Sequence, residues 1–63
     1  MEKLKELRAD RVLSLADLSR LSGVDRQTIW RIEAGRHGAH PKTIRKLAQA
    51  LGVEPRELVK GEE

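Results

Sequence analysis

Apolar positions recur along this chain at three- and four-residue steps, and the two-residue alternation of a half-buried strand is absent. The pattern predicts five helical segments in succession. The first covers about Glu2 to Arg8 and carries Leu4 and Leu7, with Met1 able to join them. The second begins at Ser14 and puts Leu15, Leu18 and Leu21 on its apolar side. The third starts after Asp25, turns Ile29 and Ile32 inward, and is preceded by Val24, which plugs the core at the turn. The fourth opens at Pro41 and shows Ile44, Leu47, Ala48 and Leu51, the i, i+3, i+4, i+7 stripe of an amphipathic helix. The last is short, Pro55 to Lys60, and contains Leu58 and Val59.

The polar residues between these stripes supply starts and stops. Ser14-Leu15-Ala16-Asp17 has the form of a capping box, with Asp in place of the usual Glu. Its hydroxyl would accept from an orphan amide of the first turn, and its carboxylate suits the positive end of the helix dipole. Asp25 is a good N-cap for the third segment, and Pro41 suits the first position of the fourth. Gly23, Gly35, Gly52 and Gly61 each follow a periodic stretch, where a chain leaves a helix through a left-handed conformation. The fold class that follows is all-α: a compact five-helix domain with short connections, occupying residues 1–63 as one unit.

A chain of 63 residues buries a modest core, and without cysteine it has no disulfide or thiolate metal site to reinforce it. No apolar run is long enough to span a membrane, and the charged start is unlike a secretory signal. Cysteine-free composition suits a reducing cytoplasm. The charged ending, Lys60-Gly61-Glu62-Glu63, has the look of a natural terminus. Net charge is +3, but its distribution says more: Asp25 to Val53 holds six Lys or Arg against two acids, whereas Glu54 to Glu63 holds two against four. A basic middle with an acidic end gives one positive face, suited to an anionic polymer.

The most informative stretch is Ser14 to Gly35, two helical patterns joined by Ser22-Gly23-Val24-Asp25. So short a joint does not let the helices lie antiparallel and forces a steep crossing, the geometry of a helix-turn-helix. The third segment then presents Arg26, Gln27, Trp30 and Arg31 on its outer side. Arginine can bond two acceptors on guanine, and glutamine can bond adenine in bidentate fashion.

In these motifs the chain resembles the Cro and lambda-type phage repressor family, also called the XRE family. The family pattern Leu-Ser-Gln-x-x-Leu-Ala is met by Leu13-Ser14-Leu15-Ala16-Asp17-Leu18-Ser19, and Ser-Gly-Val-Ser by Ser22-Gly23-Val24-Asp25. Thr28-Ile29-Trp30-Arg31-Ile32-Glu33-Ala34-Gly35 matches Thr-Ile-x-x-Ile-Glu-x-Gly, and Leu47 to Val53 matches the closing Leu-Ala-x-Ala-Leu-Gly-Val in full. The resemblance runs from about Leu4 to Leu58. Two departures stand out. Leu15 occupies a position where many members carry a phosphate-contacting Gln, so one polar DNA contact is expected to be missing or moved. Ser19 stands where Ala is usual, and is small enough to keep the helices close.

The resemblance implies a lambda-repressor-like fold whose third helix enters the major groove with its N-terminal residues foremost. Arg26, Gln27 and Arg31 are then the expected base readers. Ser14, Thr28, Arg36, Lys42 and Arg45 are expected at the phosphate backbone, where they would position the domain without reading sequence. Trp30, about 100° round the helix from Ile29, stands at the margin of the exposed face. It either touches a thymine methyl or the groove wall, or lies over the following loop near His37. Arg8 and Glu33 match family positions that often form an ion pair between the first and third helices.

His37 and His40 are three apart in a loop with too few further ligands for zinc, so no metal and no cofactor is expected. His40 is better placed to cap the fourth helix. No catalytic arrangement or phosphate loop stands out, and the chain reads as non-enzymatic. The functional expectation is a sequence-specific regulator of transcription, most simply a repressor, bound to double-stranded DNA as a homodimer on a palindromic operator. Its pairing surface would be the last helix and the preceding segment, with Leu58 or Val59 exposed on a monomer. Two alternatives are a protein-interaction module of the same fold, such as an antitoxin or coactivator adaptor, and the DNA-binding part of a longer regulator.

Overall fold

In the computed structural model, which describes residues 1–35 and 39–59, the helices are α1 (Glu2–Asp10), α2 (Leu15–Ser22), α3 (Arg26–Glu33), α4 (Pro41–Leu51) and α5 (Pro55–Val59). Among the described residues there is no strand. α1 runs two residues beyond the expected Arg8, and Arg11 closes it by donating from its backbone N–H to Leu7 and Arg8 carbonyls. The following Val12 has φ of 53° and is almost fully exposed, an unusual left-handed conformation for a β-branched residue. The expected end of the last helix at Lys60 and Gly61 lies outside the described residues.

The core is built evenly. Leu4, Leu18, Ile29, Leu47 and Leu58, one side chain from each helix, are fully buried. Met1, Val24, Ile32, Ala48 and Leu51 complete the buried set, with Leu7, Leu13, Leu15, Ile44 and Val53 packed partly against it. α2 and α4 pack on one another, α3 lies against both α1 and α2, and α5 closes the base against α4 and α1. Burying a Leu or Ile contributes about 1.5–3 kcal/mol. At ~0.05–0.15 kcal/mol per residue, a domain of this size holds only a few kcal/mol of net stability. Each helix therefore depends on the other four.

Two apolar assignments differ from the sequence reading. Leu21 is 60% exposed, outside the core. Successive three-residue steps drift by about −60° each, so a stripe centred on Leu18 carries Leu21 off the buried face. The side chain of Ser22, one residue on, is half-buried instead. Leu58 is fully buried, so it closes the core and is unavailable as a pairing surface. Val59, at 40% exposure, is the apolar residue of α5 that reaches solvent.

One polar cluster ties α1 to the far end of α3. The Arg8 guanidinium donates from Nε to Glu33 Oε2 at 2.7 Å and from Nη2 to Glu33 Oε1 at 3.0 Å. Its Nη1 donates to the Leu13 carbonyl at 2.8 Å, which holds the turn after α1. Both ionic side chains are largely shielded. The hydrogen bonds from Arg8 to Glu33 raise the guanidinium pKa above its ordinary value, so Arg8 stays charged throughout the accessible range. Nearby, the Met1 amino group donates to the Ile32 carbonyl.

Removing one member of a shielded pair strands the other. Arg8→Ala or Glu33→Ala should each cost about 3 kcal/mol, the lower end for buried pairs. The double variant should lose less than the sum of the two. Urea unfolding of the four proteins measures the coupling; additive losses would show that the fork holds nothing.

Candidate nucleic-acid interface

The segment from Ser14 to Glu33 is held by local hydrogen bonds at every joint. The Ser14 hydroxyl accepts from the Asp17 amide at 3.0 Å, and Asp17 Oδ2 accepts from the Ser14 amide at 2.9 Å, a reciprocal capping box at the start of α2. Gly23 ends α2 with φ of 76°, a conformation that favours glycine, and its N–H donates to Ser19. Three residues, Gly23 to Asp25, then connect α2 to α3. The Ser22 hydroxyl donates to the Leu18 carbonyl at 2.7 Å and accepts from the Val24 amide at 3.1 Å. This staple fixes the turn and drops Val24 into the core. Asp25 Oδ2 then accepts from the Gln27 and Thr28 amides at 3.0 and 3.4 Å, which starts α3.

α3 is two-faced. Ile29 and Ile32 are buried, Thr28 and Glu33 are half-buried, and Arg26, Gln27, Trp30 and Arg31 are exposed. Arg26 and Gln27 occupy the first turn, beside the start of α2, and Arg31 follows about one turn on. Neither Arg26 nor Arg31 forms an ion pair with a described residue. Trp30 is 48% exposed. With Leu15 it lines two neighbouring clefts. One, of about 290 Å³, is completed by Lys5, Arg8, Glu33 and Ala34. The other, of about 420 Å³, is shallower and completed by Asp25, Arg26 and Gln27. His37, the alternative neighbour considered for Trp30, lies outside the described residues.

The expected backbone contacts are distributed around this face. Lys42 and Arg45 are exposed on α4. His40 caps that helix, its Nδ1 accepting from the Lys42 amide at 3.1 Å, and Pro41 takes the first position. Arg45 also lines a groove of about 310 Å³ between α4 and α5, with Pro41, Ile44, Pro55, Arg56 and Val59. Ser14 is exposed, but its oxygen is engaged in the cap and the Asp17 carboxylate stands beside it. Arg36 lies outside the described residues. No group of three or more metal-ligating side chains occurs among the described residues. No helix among them is long and apolar enough to cross a membrane. Two contributors to the site escaped the sequence reading. The Ser22 staple is a single hydroxyl without a pattern of its own, and the meeting of Leu15 with Trp30 depends on how α2 and α3 pack.

A helix-turn-helix domain family model matches residues 2–60. The chain is 45% identical over 53 residues to the HTH-type transcriptional repressor RghR of Bacillus subtilis (strain 168), covering 82% of this chain and 39% of that protein. It is 43% identical over 53 residues to an uncharacterised HTH-type transcriptional regulator, RghRB, of the same organism, covering 82% of this chain and 38% of that one. The chain thus spans about two-fifths of the length of these curated relatives. Among solved structures, the restriction-modification controller protein C.AhdI from Aeromonas hydrophila superposes with a TM-score of 0.86. It is 44% identical, over 90% of this chain and 86% of that one.

The capping box makes one pH-dependent prediction. Hydrogen bonds from the Ser14 backbone, then those with its side chain, hold the Asp17 carboxyl below its ordinary value of 3.8, with the charge of Arg20 adding to the shift. A depressed carboxyl pKa contributes stability above the unfolded value and loses it as pH falls through the lower folded value. Asp17→Asn should therefore be less stable than the parent near neutrality, with the gap closing on acidification below the ordinary carboxylate range. Thermal melts followed by circular dichroism across that range test the sign; a gap that widens in acid would refute it.

Proposed function

The chain belongs to the helix-turn-helix domain family, and on that premise we propose that it is a sequence-specific regulator of transcription that reads the major groove of duplex DNA with α3. The observation that carries this reading is the division of α3. Its apolar side is consumed by the core, while Arg26, Gln27, Trp30 and Arg31 stand outward on a helix held rigid at both ends. Arg26 and Gln27, in the leading turn, are the base readers, with Arg31 reaching a further base or the backbone. Lys42, Arg45, Arg36 and Thr28 serve the phosphates. Ser14 is the weakest of that set, because the Asp17 carboxylate beside it opposes an anion. The work is binding, with no chemical step, carried out in the cytoplasm, and repression is its simplest outcome.

One such unit covers little of a DNA site. Pairing two copies on half-sites about one helical turn apart would supply the missing affinity. The groove between α4 and α5, with Val59 at its edge, supports a self-contact there. A self-contact accounts for that groove without a protein-interaction module of the same fold.

Two predictions separate the roles. Arg26→Ala should cost about 1–3 kcal/mol on the best site and relax one base preference, whereas Lys42→Ala should weaken every sequence alike and reduce the salt slope by about one. Affinities measured against a selected site and scrambled duplexes at several salt concentrations decide between them. An equal loss on all sequences for Arg26→Ala would remove direct readout. Val59→Glu, at an exposed position, should leave the fold intact. It should lower affinity for a two-half-site duplex by on the order of a hundredfold, with monomers in sedimentation. Wild-type protein that sediments as a monomer with and without duplex would overturn the pairing.

A further inference from the structure

We propose that the cleft formed by Leu15 and Trp30 at the α2–α3 joint is a specificity element that receives the 5-methyl group of a thymine next to the bases read by Arg26 and Gln27. The inference rests on the DNA-binding reading above and deepens it. The cleft is lined by Leu15, Asp25, Arg26, Gln27 and Trp30. It therefore sets an apolar floor directly beside two base-reading side chains. Leu15 and the Trp30 ring give that floor no charge. The Asp25 carboxylate sits in its wall, already satisfied by two amides of α3. The Asp25 and Arg26 charges in the wall oppose one another, and the aliphatic floor suits a neutral base edge better than an anion that must shed its water.

In the major groove, thymine is the base that presents a methyl group, alongside the O4 acceptor. Leu15 has no hydrogen-bonding atom in its side chain, and it is half-buried on the core side, so its position is fixed by packing. Trp30, half exposed, lines the cleft from the other helix. A methyl seated between them loses its contact with water while Gln27 or Arg26 engages the adjacent base. Removing one methyl from such a contact is worth about fourfold in affinity, the burial of a single carbon.

The test begins with selection of duplexes from a random pool by the wild-type protein. In the best site each thymine is then replaced singly by uracil, which lacks only the methyl, and affinity is measured at fixed salt. One thymine per half-site should lose about fourfold on replacement, and the other positions should be indifferent. Leu15→Gln should abolish that difference, while Leu15→Met, which keeps an apolar side chain, should retain it. An enriched site in which every thymine tolerates uracil overturns this inference alone, as does a Leu15→Gln protein with undiminished sensitivity. A pool with no enriched sequence overturns the DNA-reading proposal and this one together.

Discussion

The fork between Arg8 and Glu33 sets the geometry on which everything else depends. α3 is only eight residues long, and two buried isoleucines anchor it without fully fixing its rotation. Two parallel hydrogen bonds to a planar guanidinium do fix it, because both oxygens of Glu33 must meet both nitrogens at once. The third bond, from Arg8 to the Leu13 carbonyl, ties the same charge to the turn that leads into α2. One side chain thus coordinates the end of α1, the entry to α2 and the last turn of α3. The exposed pair of Arg20 with Asp17 holds no comparable junction and is open to solvent screening.

A core with one fully buried residue per helix gives the domain cooperativity and little reserve. Loss of any of Leu4, Leu18, Ile29, Leu47 or Leu58 removes about 2–5 kcal/mol by the usual cost of truncating a buried aliphatic side chain, comparable to the whole stability of so small a fold. The outer side chains of α3 escape that constraint. Arg26, Gln27 and Arg31 contribute nothing to the core, so they can vary with the DNA sequence while the scaffold stays the same. Trp30 and Leu15 are intermediate, since both cover the core margin and line the clefts. Substitutions there would alter recognition and stability together.

What could be read in the sequence was what local chemistry decides. Ser14 and Asp17, Asp25, His40 with Pro41, and Gly23 and Gly52 mark helix ends because each acts on amides or backbone angles within a few residues. The inward turn of Ile29 and Ile32 followed from spacing alone. What escaped depends on packing between helices. Leu21 shares its spacing with Leu18, and only the placement of α4 decides which of them is covered. Leu58 and Val59 are adjacent apolar residues on a five-residue helix too short to show a period. Val12 adopts φ of 53° with a side chain poorly suited to it, because the bonds from Val12 to Ala9 and from Leu13 to Arg8 bring the chain round there. The roles of Arg26, Gln27 and Arg31 toward bases belong to a complex, and no reading of the free chain contains the partner.

The distribution of acids also determines where affinity for DNA can come from. Helix N-termini commonly bind anions through free amides and the dipole. Here the α2 start is capped by the Ser14 hydroxyl on the Asp17 amide and the Asp17 carboxylate on the Ser14 amide, and the α3 start by the Asp25 carboxylate on two amides. Attraction for the DNA backbone therefore falls mainly to side-chain cations, Lys42 and Arg45 on α4, with Arg26 and Arg31 on α3 divided between bases and charge. An interface arranged in this way sets its positioning cations on α4 and its base-reading side chains on α3. The α4 cations set overall affinity and salt dependence, while α3 and the apolar floor beside it are left to distinguish one base from another.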